Sequence, residues 1–142
     1  MNGYPVRFLF AILIVGSMLT GVVGIAAAKS APTVHEKSLA KYGKVLVTPK
    51  GMTLYYYTPD TKTASKCTGG CASAWPPLLL PSGMKAPVKP SGLKGTLNTI
   101  KRGSRRQVAY NGHPLYTFAN DHKSGQATGQ GVGGVWFVMK AK

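Results

Sequence analysis

The chain has 142 residues, enough for one domain once a leader is set aside. Its 18 lysines and arginines against three acids give a net charge of +15, which draws in anionic lipid, acidic polysaccharide, nucleic acid or acidic protein without selecting among them. The length excludes the large α/β scaffold of penicillin-recognising enzymes, and two cysteines are half of what a four-ligand zinc site needs.

Residues 1–28 read as a secretory signal. Arg7 supplies the positive start, Phe8 to Ile25 is mostly apolar, and Ala26, Ala27 and Ala28 offer a small-residue cleavage site, so the mature chain starts at Lys29. An uncleaved anchor is the alternative, because the apolar run approaches the roughly 20 residues that a spanning helix needs. Gly16, Ser17, Thr20, Gly21 and Gly24 dilute that run, and no cysteine near the cleavage point is available for lipid attachment. Residues 29–43 form an N-terminal arm; Lys29 to Lys41 is polar and mixed, read as a loose segment or a short helix.

Repeat one covers 44–80. Val45 and Val47 begin a strand, Pro49-Lys50-Gly51 turns, and Thr53 to Tyr57 returns as a β-branched and aromatic strand. Asp60 follows in a turn. Cys67 and Cys71 come next, the only cysteines; an oxidising compartment joins them, and Gly69 and Gly70 let the backbone turn tightly enough. A structural disulfide is the favoured reading, with a thiol switch or a metal-ligand pair as alternatives. Ala74-Trp75-Pro76-Pro77 is then held extended by its prolines.

Residues 81–95 are a linker rich in Pro, Gly, Ser and Lys. Repeat two covers 96–142. Thr96 to Ile100 opens it as a strand, and Lys101, Arg102, Arg105 and Arg106 form the densest basic cluster of the chain. Gln107 to Tyr110 is a strand, with Val108 matched to Val47 at an offset of 61. Asn111-Gly112 is a strong hairpin dipeptide, and Leu115 to Ala119 returns. Asp121, a glycine-rich stretch and a terminal strand from Val135 to Met139 complete the copy.

The repeat itself rests on seven matches at one offset. Gly51, Leu54, Tyr55, Tyr57, Asp60, Lys62 and Trp75 align with Gly112, Leu115, Tyr116, Phe118, Asp121, Lys123 and Trp136. These include both tryptophans and both aspartates of the chain, so two copies of one supersecondary unit are expected. Short strands, Gly and Pro turns and no sustained helical period point to an all-β fold. A unit of about 50 residues buries too little surface to be comfortable alone, so the two pseudo-symmetric repeats are expected to share one core in a small single domain. Tyr55, Tyr57, Trp75, Tyr116, Phe118 and Trp136 are its expected centre. Asp60 and Asp121 are read as turn caps, with a ligand or cation contact as the alternative, and Lys62 and Lys123 as candidate ion-pair partners.

Other patterns carry less. Gly129 to Gly134 spells G-x-G-x-x-G, yet the acidic residue required some 20 positions later is missing, and the stretch reads as a loop. Ser38 to Lys41 matches S-x-x-K by accident. His122 follows Asp121 directly, a poor geometry for a catalytic dyad, and no acid/base pair stands out, so no catalytic residue is assigned and an enzyme is unsupported. Met52 and His113 occupy equivalent repeat positions, with His122 and Met139 as further thioether and imidazole candidates for copper or haem iron. No spacing among them is diagnostic of a metal site, and the simpler expectation is no cofactor.

The motif set Leu54-Tyr55 through Asp60, Lys66-Cys67, Cys71-Ala72, Trp75-Pro76-Pro77, and Gly112-His113-Pro114-Leu115-Tyr116-Thr117-Phe118 with Asp121 resembles the bacterial secreted-repeat family of unknown function. The resemblance spans about Lys44 to Met139. It implies an exported, envelope-associated protein without established enzymatic activity; many members are predicted lipoproteins, and a place near haem-based electron transfer has been suggested for some. This chain lacks the lipidation cysteine. The expectation is therefore a periplasmic or secreted, monomeric, non-catalytic envelope-binding protein. Its expected partner is an anionic envelope component or an acidic protein, with peripheral membrane contact allowed. A periplasmic redox accessory that binds a metal or docks on a cytochrome is the alternative. Nucleic acid is set aside, because the tyrosines occupy strand positions that look core-facing.

Overall fold

The computed structural model describes Ala31 and residues 33–142; the leader read over 1–28, and residues 29, 30 and 32 of the arm, lie outside them. Among the described residues there are seven strands: β1 His35–Leu39, β2 Gly43–Val47, β3 Tyr55–Tyr57, β4 Leu97–Arg102, β5 Arg105–Tyr110, β6 His113–Pro114 and β7 Trp136–Val138. They form three small sheets, β1-β2, β3-β7 and β4-β5-β6, and all their pairings are antiparallel. One five-residue helix, α1 Gly70–Ala74, and a 3-10 turn, Val132–Gly134, interrupt the β pattern. The all-β class read from the turns and short apolar runs is the class observed.

The repeats are exchanged rather than side by side. Tyr55 and Tyr116, equivalent residues, trade both backbone hydrogen bonds, at 2.8 and 3.0 Å, so a local pseudo-two-fold axis passes between them. Around that axis the bonds come in matched pairs. Thr58 donates to the Val135 carbonyl and Ala119 to the Ala74 carbonyl, both at 2.9 Å; Met139 donates to Leu54 at 2.8 Å and Leu78 to Leu115 at 2.9 Å. Each of these bonds joins one copy to the other. The final segment of each repeat closes the hairpin of its partner, so neither copy has a complete set of backbone partners alone.

Several details depart from the sequence reading. The return strand expected over Leu115 to Ala119 is instead β6 at His113–Pro114 followed by isolated bridges at Tyr116. Residues 35–39, expected as a loose arm or short helix, form β1, paired along its length with β2 in the register His35↔Val47 to Leu39↔Gly43. As an edge strand with largely wetted faces, β1 carries no apolar alternation to betray it. Val108 is equivalent to Leu46 rather than Val47. Leu46 donates to Met139 and Val108 to Leu78, both at 2.8 Å, and those acceptors are 61 apart while the donors are 62 apart. The two-residue Asn111-Gly112 turn is one residue shorter than its counterpart, and the offset changes there. Asn111, the one non-glycine residue with positive φ among those described, and Gly112 (φ 81°) supply the left-handed backbone that such a tight turn requires. Finally, the segment before Trp75, expected as a disulfide loop, is partly the helix α1.

Because successive side chains of extended backbone point to opposite sides, Leu54 and Tyr55 enter different layers, as do Leu115 and Tyr116. Leu46, Leu54, Val108, Leu115, Leu80, Leu93 and Met139 pack in one layer. Val45, Val47, Tyr55, Trp75, Tyr116, Trp136 and Val138 pack in the other. Both layers draw on both repeats, which is how the copies share an interior.

Candidate functional site

The aromatic layer is ordered about the pseudo-two-fold. Trp75 and Trp136 stack face to face at 3.9 Å between centroids and 2° between planes. Phe118 continues the stack beyond Trp75 at 4.1 Å, and Tyr57 beyond Trp136 at 4.4 Å. Tyr55 meets Trp75 edge-on at 5.3 Å, and Tyr116 meets Trp136 edge-on at 5.1 Å. The tryptophans and Tyr55 and Tyr116 are buried, while Tyr57 and Phe118, expected at the centre, cap the two ends of the column and are only partly covered.

Each of these buried tyrosines sends its hydroxyl to the aspartate of the other repeat. Tyr55 donates to Asp121 Oδ2 at 2.6 Å, and Tyr116 donates to Asp60 Oδ2 at 2.5 Å. The second oxygen of each carboxylate closes its own loop. Asp60 Oδ1 accepts the Lys66 N–H at 2.6 Å; Asp121 Oδ1 accepts the Thr128 N–H at 3.0 Å and the Thr128 hydroxyl at 2.6 Å. Local turns present both aspartates, whose N–H groups bond Tyr57 and Phe118 carbonyls at 3.1 Å. Burial, and next the hydrogen bond to Asp60, push the Tyr116 phenol up to about 12; burial and the bond to Asp121 raise Tyr55 further still. Both phenols therefore stay protonated donors at neutral pH. Lys62, read as an ion-pair candidate, lies instead along Gly112, and the Lys123 N–H bonds Gln126.

The two halves differ in what surrounds this lock. In copy one, Ser65 Oγ sits 2.7 Å from the Tyr116 hydroxyl, and Arg102 reaches in to donate to Ser65 Oγ at 2.7 Å, Gln107 Oε1 at 3.0 Å and the Cys67 carbonyl at 2.6 Å. The Cys67–Cys71 disulfide, with Cα atoms 5.2 Å apart, fixes that loop against α1. In copy two, Gly129 takes the place beside the lock, and its missing side chain is what admits Trp75: a Cβ there would lie 2.6 Å from the indole. Arg102 is thus a structural cross-link, separate from the basic cluster in which the sequence placed it. Lys101, Arg105 and Arg106 are exposed around the β4–β5 tip.

Residues 39–79 and 99–140 match, as two units, the family described as a secreted repeat of unknown function. The chain belongs to that family. No curated relative and no solved structure matches it. In this secreted repeat the recurring Tyr, Asp and Trp positions bind the exchanged halves together. Features present in one copy and absent from the other are therefore the better candidates for function.

One such feature is a cleft of about 540 Å³ on the reverse face of the β3–β7 ribbon. Tyr55, Tyr57, Trp136 and Val138 point into the aromatic layer, so Tyr56 and Phe137, directly paired across the ribbon, point the opposite way. Tyr42, His113, Lys140 and Lys142 join them around the cleft. Of the metal candidates, His113 is exposed at this cleft, Met139 also lines it from the core, Met52 is half-buried elsewhere and His122 is exposed on the Asp121 turn. The sequence reading passed over Tyr56 and Phe137. Their signal was available in the repeat itself, as aromatic residues opposite Thr117 and Pro76 in the other copy.

Proposed function

We propose that this secreted repeat is a non-catalytic binding protein of the cell envelope, in the periplasm or beyond it, held by charge against an anionic envelope component. The observation that carries this reading is the placement of the acids. Asp121 is buried and Asp60 is half-covered, which leaves Glu36 on the edge strand as the one fully exposed carboxylate side chain among the described residues. The exterior is almost purely cationic. At the β4–β5 tip Lys101 stands directly opposite Arg106, with the exposed Arg105 beside them. Like charges facing across a ribbon are destabilising, so a polyanion laid against the tip relieves a repulsion that the free protein carries.

Retention on an immobilised polyanion is expected to fall steeply with salt, as the screening length shrinks from about 10 Å at 0.1 M to about 3 Å at 1 M. The triple variant Lys101→Gln/Arg105→Gln/Arg106→Gln elutes at lower salt than the parent. Retention indifferent to salt, or coelution of the two proteins, refutes the reading.

A further inference from the structure

We propose that the cleft behind the β3–β7 ribbon is a binding site for a carboxylated sugar ring of an acidic polysaccharide. The inference takes the source of its ligand from the envelope-binding reading and its chemistry from the cleft alone.

The repeat supplies an internal control for what the fold requires. Tyr56 and Phe137 correspond to Thr117 and Pro76, and the Thr117 N–H bonds the Pro76 carbonyl at 2.9 Å in the other half. That half keeps the Tyr–Asp bond and the tryptophan stack with no aromatic residue at either place. The Tyr–Asp bond and the tryptophan stack therefore do not require the aromatic face of the cleft, although Tyr56 also packs against the core.

Its geometry selects a puckered ring. Tyr56 lies 4.9 Å from His113 with the planes at 52°, and 5.9 Å from Phe137 at 33°. Tilted rings make a shallow bowl that follows the contour of a puckered ring. The C–H face of a pyranose, weakly positive, complements the negative face of such rings. The cleft volume falls within the range of about 300–1,000 Å³ common for small-ligand sites.

The polar groups select an acid. Lys140 and Lys142 line the cleft and no aspartate or glutamate does. Asn111 and Gln130 spend their side-chain oxygens on the Thr96 and Val138 N–H groups, which leaves their NH2 groups to donate to hydroxyl or carboxylate oxygens. The Tyr42 and Tyr56 hydroxyls make no hydrogen bond among the described residues and are free to bond sugar hydroxyls. The cleft and the basic tip lie at opposite ends of β5, on the order of 17 Å apart along the strand, so the two are separable by mutation.

The test is calorimetric titration of the purified protein with tetragalacturonate, with neutral cellotetraose and planar 2-naphthoate as comparators. The acid tetrasaccharide is expected to bind more tightly than either. Tyr56→Thr, which installs the residue that the other repeat already carries at this place, should weaken it by about tenfold, the factor lost with one stacked ring, in a protein whose circular dichroism shows it still folded at the titration temperature. Lys142→Gln should weaken the acid ligand and leave cellotetraose unaffected. Equal binding of cellotetraose, or tighter binding of naphthoate, overturns the ligand class. Unchanged affinity in Tyr56→Thr overturns the site. If tetragalacturonate binding is lost in the Lys101/Arg105/Arg106 triple variant and kept in Tyr56→Thr, the cleft inference falls and retention by charge stands. If Tyr56→Thr removes it while polyanion retention ignores salt, the cleft stands and retention by charge falls.

Discussion

Replacing Asp121 with alanine removes the acceptor of three hydrogen bonds at once: the Tyr55 hydroxyl at 2.6 Å and the hydroxyl and N–H of Thr128 at 2.6 and 3.0 Å. The Tyr55 ring is fully buried, so its hydroxyl loses its acceptor where water cannot replace it. Bonds to charged groups are worth about 1.5–3 kcal/mol each, and an orphaned buried donor adds its own desolvation penalty. Thr128 is exposed and its donors find water, so the Tyr55 term dominates and the total comes to about 4 kcal/mol. The pseudo-symmetric Asp60→Ala is expected to be milder, about 1–2 kcal/mol. Asp60 is half-exposed, and the Tyr116 hydroxyl keeps Ser65 Oγ at 2.7 Å. Urea unfolding of both variants at unchanged m reads the difference. A cycle with Tyr55→Phe should give a coupling of about 2 kcal/mol between Tyr55 and Asp121 and little between Tyr55 and Asp60. Asp60→Ala proving as costly as Asp121→Ala, or a cycle with no coupling, would show that the crossed bonds do not hold the halves together.

Gly129→Ala places a Cβ 2.6 Å from the Trp75 indole and 3.0 Å from the Tyr55 ring, so the stack must part; a loss of about 1–3 kcal/mol and a weakened far-ultraviolet tryptophan exciton couplet are expected, and an unperturbed couplet contradicts the packing described. Alkaline pH tests the lock in another way. Both phenols are held above the ordinary tyrosine value of 10.0, so above that pH the unfolded chain binds fewer protons than the folded one and stability falls. The contribution is complete below pH 10.0 and is lost for Tyr116 as pH rises toward about 12, with Tyr55 following at higher pH. Tyrosinate absorbance should therefore show two late-titrating tyrosines in the folded protein, and two early ones in their place would refute the assignment.

Much of the architecture was legible because it is written twice. Seven matches at one offset announce the duplication, and Gly and Pro turns between short apolar runs announce the β class. β1 escaped notice because an edge strand with wetted faces has no alternation. The slip of the offset from 62 to 61 was hidden because Val47 and Val108 are both valines, and only the backbone pairing shows that Val108 stands where Leu46 does. Arg102 looked like one of four equal cations until the fold turned its guanidinium inward to Ser65 and Cys67.

The sequence by itself determined the export leader as an expectation, the two-copy β grammar, and the pairing of two cysteines only four positions apart, because each depends on chemistry between near neighbours. Only the tertiary structure decided that each tyrosine bonds the aspartate of the opposite copy, and that Tyr56 and Phe137 stand together on an open face. A strand's period of two says that neighbours point to opposite sides. Which side is covered, and by which copy, depends on strands exchanged across 60 residues of chain, a choice made by the whole interior at once.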